Sequence, residues 1–285
     1  MTATRRKSGR AAAPRRRLPR LVLKLGGELL EQPHDVALMA QAIAGLAAQA
    51  QLVVVHGGGK EIDAALAAAG IPKQQVDGLR VTDAATLDVV VAVLAGAINT
   101  RLVAAVRSTG ARPVGLTGAD ATVATVKRSR PIVTVAGATV DLGLVGAPVV
   151  AGDPALLADL LTRGYTPIVA CIGATADGQL MNVNADTLAA HLAAGIGARR
   201  LIIAGGTAGV LDEEGRTIDR LTARHAARLI KAGTANKGMI AKLQACRTAL
   251  QRGVGDVVIA NGRHVRFDAL ASRTTALTGC TQVVP

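Results

Sequence analysis

The stretch Val53-Val54-Val55-His56-Gly57-Gly58-Gly59-Lys60 joins an apolar run to three glycines and then to an Ala-rich segment that continues to residue 68. Such a run is typical of a buried parallel strand, and the segment after it is typical of a crossover helix. When a glycine turn joins a strand to a helix in this way, backbone N–H groups lie at the N-terminus of the helix. Such groups bind anions. The spacing fits neither a Walker loop nor a dinucleotide fingerprint. We expect His56 to be structural.

The same alternation continues along the chain from residue 21. It predicts strands at residues 21–25, 52–55, 113–116, 167–172, 201–204 and 257–260. It predicts helices at residues 36–49, 60–68, 84–108, 154–163, 185–194, 223–231 and 238–252. The β-branched residues and glycines of residues 123–145 favour a small antiparallel patch. The pattern predicts an α/β protein, a three-layer αβα sandwich whose central sheet is mainly parallel.

We expect three parts along the chain, divided at a Gly/Asp loop near residues 173–178. Residues 1–20 form a disordered basic tail, residues 21–177 an N-terminal lobe, and residues 178–285 a C-terminal lobe. The chain has a net charge of +13, but eight basic residues and no acidic residue fall within the first twenty. The excess charge is therefore mostly a property of the tail. An arm that binds nucleic acid or an acidic partner, or a transit peptide, is the alternative interpretation of this tail.

Composition excludes several classes of protein. With 285 residues, of which 50% are apolar and 19% charged, the chain is long and apolar enough to bury a large core. Tyr165 and Phe267 are the only aromatic residues, so stacking on nucleic-acid bases is disfavoured. Three widely spaced cysteines predict neither a disulfide framework nor a zinc site. The longest apolar run, residues 89–98, is too short to span a membrane. These features predict a soluble, cytoplasmic protein.

A second glycine turn follows the first predicted strand. There Lys24-Leu25-Gly26-Gly27 places a lysine inside an apolar run whose end opens into two glycines. Glycine lets backbone N–H groups come close to an anion, and the lysine adds a point charge. A strand-end lysine that reaches to solvent is the alternative. Two glycine turns at the ends of neighbouring strands favour a shared phosphate or carboxylate site.

Polar residues also occur at other predicted strand ends. Arg80 follows a polar loop, and arginine suits bidentate binding of a carboxylate. If residues 180–186 are extended, Asn182, Asn184 and Asp186 lie on one side and converge. A surface arginine and a helix cap at Asn184 are the structural alternatives.

A last lysine lies near the start of a predicted helix. Lys242 follows Gly238 by one helical turn, so it can face the helix start. A lysine there can neutralise the charge of a phosphoryl group during transfer. A solvated helix lysine is equally compatible with this spacing.

Taken in order, these segments resemble the amino-acid kinase family, and within it the branch that phosphorylates N-acetylglutamate in arginine synthesis. The resemblance covers about residues 21–259. Seven motifs carry it: Lys24-Leu-Gly-Gly27, His56-Gly-Gly-Gly59, Gly78-Leu-Arg-Val-Thr-Asp83, Gly115-Leu-Thr-Gly-Ala-Asp120, Asp141-Leu-Gly-Leu-Val-Gly146, Asn182-Val-Asn-Ala-Asp186 and Gly238-Met-Ile-Ala-Lys242.

The resemblance implies transfer of the γ-phosphoryl group of ATP to the side-chain carboxylate of N-acetylglutamate, with Mg²⁺ carried by the nucleotide and no metal site of the protein's own. It implies a catalytic set of Lys24, Asp186 and Lys242, in which Asp186 holds the two lysines. It implies that acetylglutamate is bound by Gly58, Gly59, Arg80 and Asn182. It implies that nucleotide is bound by Gly26, Gly27, Gly206, Thr207, Ala208, Gly209, Val210, Leu211, Thr234 and Asn236.

The sequence departs from the family pattern in two places. Where the family usually has Ser/Thr-Asp-Val, this chain has Gly205-Gly206-Thr207, so an acidic residue is absent from that loop. Lys237 stands where a small or acidic residue is more usual. A kinase for a related acylated amino acid, or a catalytically weak ligand-sensing homologue, is therefore the alternative. The N-terminal segment has prolines at positions 14 and 19 and no apolar stripe, so we expect a homodimer rather than a hexamer, without strong arginine inhibition.

Overall fold

The computed structural model describes residues 18–134, 137–149, 154–212, 214–232, 237–272 and 277–285. Its strands are β1 (Arg20–Leu25), β2 (Gln51–His56), β3 (Gln75–Val76), β4 (Leu79–Arg80), β5 (Pro113–Thr117), β6 (Val126–Arg128), β7 (Ile132–Val133), β8 (Thr139–Val140), β9 (Val145–Pro148), β10 (Thr166–Ala170), β11 (Ile172–Ala174), β12 (Leu180–Val183), β13 (Arg200–Gly205), β14 (Arg220–Thr222), β15 (Asp256–Asn261) and β16 (Cys280–Val284). Its α-helices are α1 (Pro33–Ala47), α2 (Gly59–Ala68), α3 (Ala84–Val91), α4 (Asn99–Arg107), α5 (Ala155–Thr162), α6 (Ala185–Gly195), α7 (Ala223–Ala232), α8 (Lys237–Gln251) and α9 (Phe267–Ala271).

A mainly parallel sheet of eight strands, in the order β14-β16-β15-β13-β1-β2-β10-β5, forms the centre of the fold. Its neighbouring strands pair in parallel except β15 and β16. Consecutive residues of β1, β2, β10 and β13 are buried, so both faces of the sheet are covered. Helices α1, α4, α5, α6 and α8 pack against these strands and complete three layers. The predicted α/β fold with a mainly parallel central sheet is confirmed.

The register brings the carboxyl ends of three central strands together. Leu25 of β1 lies beside His56 of β2 on one side and beside Ala204 of β13 on the other. The loops that follow these strands therefore leave the sheet at one edge. In open parallel sheets this edge is where ligands bind.

The predicted strands and helices named above are present, with bounds that shift by a few residues. The antiparallel pairing predicted for residues 123–145 is confirmed, because β7 pairs antiparallel with β8 and β6 pairs antiparallel with β9. Strand β9 also pairs in parallel with β12, so β6 and β9 belong to a mixed four-stranded sheet in the order β11-β12-β9-β6.

The sequence pattern missed β3, β4, β14, β16 and α9. Of these, β14 and β16 belong to the main sheet, where β16 lies between β14 and β15. The five residues of β16 have no flanking periodic segment and gave no signal.

The predicted division of the chain stays a prediction. Residues 1–17 of the expected tail lie outside the described residues, and Arg20 opens β1. The boundary placed at residue 177 falls in the turn between β11 and β12, two strands that pair with each other.

One long apolar helical stretch lies between β4 and β5. A π-helical segment, Ala92–Ile98, joins α3 to α4 without a break. By length and composition alone, residues Ala84–Arg107 could cross a membrane. The stretch packs on α1, α2, β5, β10 and β12.

Candidate active site

Two glycine turns meet at the carboxyl edge of the central sheet. Gly26 and Gly27 follow β1, and residues 57–59 follow β2. A Cβ added at Gly27 would lie 2.8 Å from the Cα of Gly58 and 3.0 Å from the backbone nitrogen of Gly59. The two turns are thus packed backbone against backbone, which only glycine permits at this point. The predicted neighbouring glycine turns are brought together.

Gly58 is also packed against the helix that follows α3. It precedes the first residue of α2, and a Cβ built on it would collide with Ile98 and lie 2.9 Å from Leu94. Both side chains belong to the π-helical segment and are buried. The helix therefore supports the glycine turn directly from one side.

His56 lies at the base of the same turn and is fully buried. Its Nε2 lies 3.0 Å from the amide nitrogen of Asn99, and its Nδ1 lies 3.2 Å from the carbonyl oxygen of Gly57. The Asn99 amide also donates to the carbonyl of Ile168 at 2.9 Å, so it serves as donor and the imidazole accepts at Nε2. Burial lowers the pKa of His56 to about 4. The ring is neutral near pH 7 and supports the turn, as the sequence predicted.

Two lysines converge on one buried carboxylate beside these turns. Lys24 of β1 lies 2.9 Å from Oδ1 of Asp186, in the first turn of α6. Lys242 of α8 lies 3.2 Å from Oδ2 of the same carboxylate. The side chains of Lys24 and Asp186 are each 7% exposed, and that of Lys242 is 19% exposed. Residues 24, 186 and 242 are far apart in sequence, and packing of α6 on β1 and on α8 brings them together.

The mutual attraction of these charges outweighs the cost of burying them. Burial alone would lower the pKa of Lys24, but the Asp186 carboxylate and then the Glu28 carboxylate raise it above its ordinary value. Burial alone would raise the pKa of Asp186, but Lys24 and Lys242 lower it. Both members are therefore charged at neutral pH. The nearby thiol of Cys171 is different: burial raises its pKa to about 12, so it is not a nucleophile at neutral pH.

The polar residues around β12 do not share one face of a strand. The strand ends at Val183, so Asn182 lies in it, Asn184 is the N-cap of α6, and Asp186 lies in the helix. Asn184 accepts a hydrogen bond from the backbone N–H of Thr187 at 3.0 Å, which is its capping role. Asn182 donates to the hydroxyl of Thr82 at 3.2 Å. Residues 180–186 are therefore not one extended segment, and the alternative interpretation, a helix cap at Asn184, is the one observed.

Arg80 lies beside the glycine turn on β4. Its guanidinium pairs with Asp63 of α2 and donates to the carbonyl oxygen of Gly59 at 3.3 Å. Asp63 also pairs with Lys73 at 2.6 Å, and the two cations lower the pKa of its carboxyl group although burial opposes this. Nη1 of Arg80 is buried and has no partner among the described residues. An arginine held in this way has donor capacity left for an anionic ligand.

The loop after β13 borders the other side of the lysines. Gly206 and Thr207 are exposed, Ala208 is half-buried, and Gly209 and Val210 are buried. The hydroxyl of Thr281 accepts the backbone N–H of Val210 at 2.8 Å, so β16 holds the buried part of the loop. Leu211 is 56% exposed. Thr234 and Asn236, also predicted to bind nucleotide, lie outside the described residues.

Sequence reasoning missed three residues that contact this site. Glu28 reaches from the first glycine turn to Gly206, whose backbone N–H it accepts at 2.8 Å. Asp63 holds Arg80, and Asn99 holds His56. The position of Glu28 directly after two glycines was an available signal. The partners of Asp63 and Asn99 depend on tertiary contacts that no local pattern records.

Most of the chain is similar to known proteins. The model of the amino acid kinase family matches residues 19–261. The acetylglutamate kinase of Sorangium cellulosum is 44% identical over 239 residues, which cover 82% of this chain and 84% of that protein. The acetylglutamate kinase of Solibacter usitatus is 41% identical over 244 residues, which cover 85% of this chain and 91% of that protein.

Solved structures show the same fold. An N-acetylglutamate synthase from Neisseria gonorrhoeae, complexed with coenzyme A and N-acetyl-glutamate, superimposes with a TM-score of 0.78 at 25% identity. The match covers 94% of this chain and 60% of that one, so the chain spans less than two thirds of the synthase. The carbamate kinase from Giardia lamblia bound to AMP-PNP has a TM-score of 0.67 at 16% identity and covers 94% of this chain and 98% of that one.

The close contact at Gly58 predicts a large cost for one added methyl group. Gly58→Ala should lower the free energy of unfolding by about 1–3 kcal/mol, because its Cβ overlaps Ile98 and Leu94. Gly59→Ala is the matched control, since a Cβ there meets no atom within 4 Å. It should change stability by less than about 0.5 kcal/mol. Urea unfolding of both variants measures this, and equal losses would contradict the packing described here.

Proposed function

The chain belongs to the amino acid kinase family, and from this we propose that it is an acetylglutamate kinase, which uses ATP to phosphorylate the side-chain carboxylate of N-acetylglutamate. The product is an acyl phosphate, and the reaction belongs to arginine synthesis. Relatives that are acetylglutamate kinases, at 37–44% identity over most of the chain, support this proposal. The observation that carries it is the Lys24–Asp186–Lys242 cluster beside the two glycine turns.

The chemistry of the reaction matches what the cluster offers. The nucleophile is a carboxylate that is already ionised near pH 7, so the enzyme needs no general base. Catalysis then consists of positioning two anions and neutralising the charge that spreads over the transferred phosphoryl group. We assign this neutralisation to Lys24 and Lys242. Asp186 is a positioning residue, because it holds both ammonium groups in place.

We assign acetylglutamate to the side of the site formed by β2, β4 and β12. Gly58 and Gly59 offer backbone N–H groups at the start of α2, where an anion is favoured. Nη1 of Arg80 is the donor that lacks a partner among the described residues, and we assign the α-carboxylate of the substrate to it. Asn182 is linked to Arg80 by Thr82. The Asn182 amide donates to the Thr82 hydroxyl, and that hydroxyl donates to the carbonyl oxygen of Arg80 at 3.3 Å.

We assign the nucleotide to the side formed by β1 and β13. Gly26 and Gly27 face the phosphates, and residues 206–211 border the nucleotide. Gly26 donates its N–H to the carbonyl of Ala204 at 2.8 Å, which joins the two strand ends beneath that site. Thr234 and Asn236 complete the proposed set.

Mg²⁺ is part of the proposal and is carried by ATP. No group of three or more His, Cys, Asp or Glu that suits a metal ion occurs within the described ranges. The carboxylate of Glu28 borders the proposed phosphate site, and one carboxylate together with phosphates and water is an ordinary environment for Mg²⁺. The residues present therefore fit the ion. When bound with the nucleotide, Mg²⁺ neutralises phosphate charge.

We propose that the protein works as a cytoplasmic homodimer, with no role at a membrane and without nucleic acid as a partner. Only 33% of the most apolar window of residues Ala84–Arg107 is buried within one protomer, which supports burial against a second copy. Light scattering should give about twice the chain mass of 28.8 kDa. A hexamer, or strong inhibition by arginine, would contradict this part of the proposal.

The kinase assignment predicts a specific loss on removing one ammonium group. Lys24→Met should lower kcat for ADP release from ATP, Mg²⁺ and N-acetylglutamate by about 10²–10³-fold, because one preorganised charge at the reacting group is lost. Lys127→Met is the matched control. Lys127 is an exposed lysine of β6, and its loss should leave kcat within about twofold.

The same assay distinguishes the alternatives. Free glutamate and an N-acetylated 2-aminoadipate should turn over much more slowly than N-acetylglutamate. Faster turnover of the longer analogue would identify a kinase for a related acylated amino acid. Absence of turnover, with N-acetylglutamate still raising the melting temperature, would contradict the kinase assignment and indicate a ligand-sensing protein.

A further inference from the structure

Glu28 lies inside the site that we assign to the nucleotide phosphates, and neither lysine of the cluster forms an ion pair with it. It belongs to the single 3-10 turn Gly27–Leu29 that follows the first glycine. Its Oε1 accepts the backbone N–H of Gly206 at 2.8 Å. A Cβ added at Gly26 would collide with this carboxylate, and one added at Gly205 would lie 3.0 Å from Oε1. The carboxylate therefore lies between the ends of β1 and β13.

The backbone beneath Glu28 is held in place by a second ion pair. Arg263 donates to the carbonyl oxygen of Glu28 at 2.6 Å and pairs with Asp35 of α1 at 2.7 Å. Asp35 is 12% exposed at its side chain, and hydrogen bonding to Arg263 lowers the pKa of its carboxyl group. The turn that carries Glu28 is thus connected to α1 and to the loop after β15. The backbone that carries the carboxylate is therefore fixed.

The charges of this part of the site are balanced before any nucleotide binds. The positive charges of Lys24 and Lys242 face the negative charges of Asp186 and Glu28, and Glu28 contributes to the raised pKa of Lys24. A free nucleotide brings three or four negative charges to its phosphates and meets a carboxylate there. A nucleotide that carries Mg²⁺ brings two fewer negative charges. Mg²⁺ also accepts carboxylate and phosphate oxygens as ligands, so the carboxylate does not repel the metal-bound nucleotide in the same way.

We propose that Glu28 makes the nucleotide site selective for the metal-bound form of its nucleotide over the free polyanion. This inference rests on the proposed function, because it requires a nucleotide at the ends of β1 and β13. Glu28 acts here as a specificity-determining residue, since its charge penalises phosphates whose own charge is not reduced by a divalent cation. The loop at Gly205 and Gly206 contains no acidic residue of its own, and Glu28 places an acidic side chain beside it from the turn after β1.

Isothermal titration calorimetry with ADP, in EDTA and in excess MgCl₂, tests the proposal without catalysis. In the wild type, Mg²⁺ should strengthen ADP binding. In Glu28→Gln, which keeps an acceptor oxygen for Gly206, metal-free ADP should bind about tenfold more tightly, while binding of Mg²⁺-ADP should change by less than about threefold. The dissociation constant of metal-free ADP divided by that of Mg²⁺-ADP should therefore fall by about tenfold.

Glu31→Gln is the matched control, because it removes the same charge from the same loop. Glu31 pairs with Lys60 at 3.2 Å, whereas the side chain at Gly206 is that of Glu28. In this variant the ratio of the two ADP dissociation constants should stay within about twofold of the wild-type ratio. Melting temperatures of all three proteins check folding.

Two results would overturn the proposal. If Glu28→Gln strengthens both forms of ADP equally, the charge of Glu28 opposes the nucleotide whether or not Mg²⁺ is bound, and Glu28 does not select between the two forms. If neither dissociation constant changes, the charge of Glu28 does not reach the nucleotide. Failure of the wild type to bind ADP under either condition would instead contradict the proposed function, so the two failures are distinguishable.

Discussion

A buried carboxylate between two ammonium groups is the interaction on which the site depends. Asp186 contacts Lys24 at 2.9 Å and Lys242 at 3.2 Å, and neither it nor Lys24 is more than 7% exposed at its side chain. Removing one partner of such a pair leaves an uncompensated charge, which is costly in a protein interior. Lys24 can therefore occupy a strand in which its neighbours are fully buried only because α6 begins directly beside it.

The parallel sheet supplies the geometry that this interaction requires. Register places Leu25, His56 and Ala204 side by side, so the turns after β1, β2 and β13 begin at one level. Gly27 and Gly58 then allow two of these turns to touch through their backbones. Donor groups of the chain are thus fixed on both sides of the lysines before a substrate arrives. Such preorganisation is what phosphoryl transfer requires of a protein.

Much of the fold was predictable because its elements have strong local patterns. Apolar strands of four to six residues alternate with Ala-rich helices, and a glycine turn follows the first two strands. The side chains of Lys24, Asp186 and Lys242 were singled out by their positions at strand ends and helix starts, and packing brings them together. Local pattern left open whether residues 180–186 form one extended segment or a strand followed by a helix capped at Asn184, and the structure has the second arrangement. Local pattern could not show that Glu28 reaches Gly206, which is 178 residues away.

We propose that phosphoryl transfer takes place between Lys24 and Lys242. A crystal structure of the protein with ADP, Mg²⁺, N-acetylglutamate and tetrafluoroaluminate, a planar mimic of the transferred phosphoryl group, would show where transfer occurs. We expect the mimic to lie within about 3 Å of both ammonium groups, with the substrate carboxylate approaching from the Gly58 side and ADP from the Gly206 side. A mimic bound out of reach of both lysines would show that these lysines do not stabilise the transferred group.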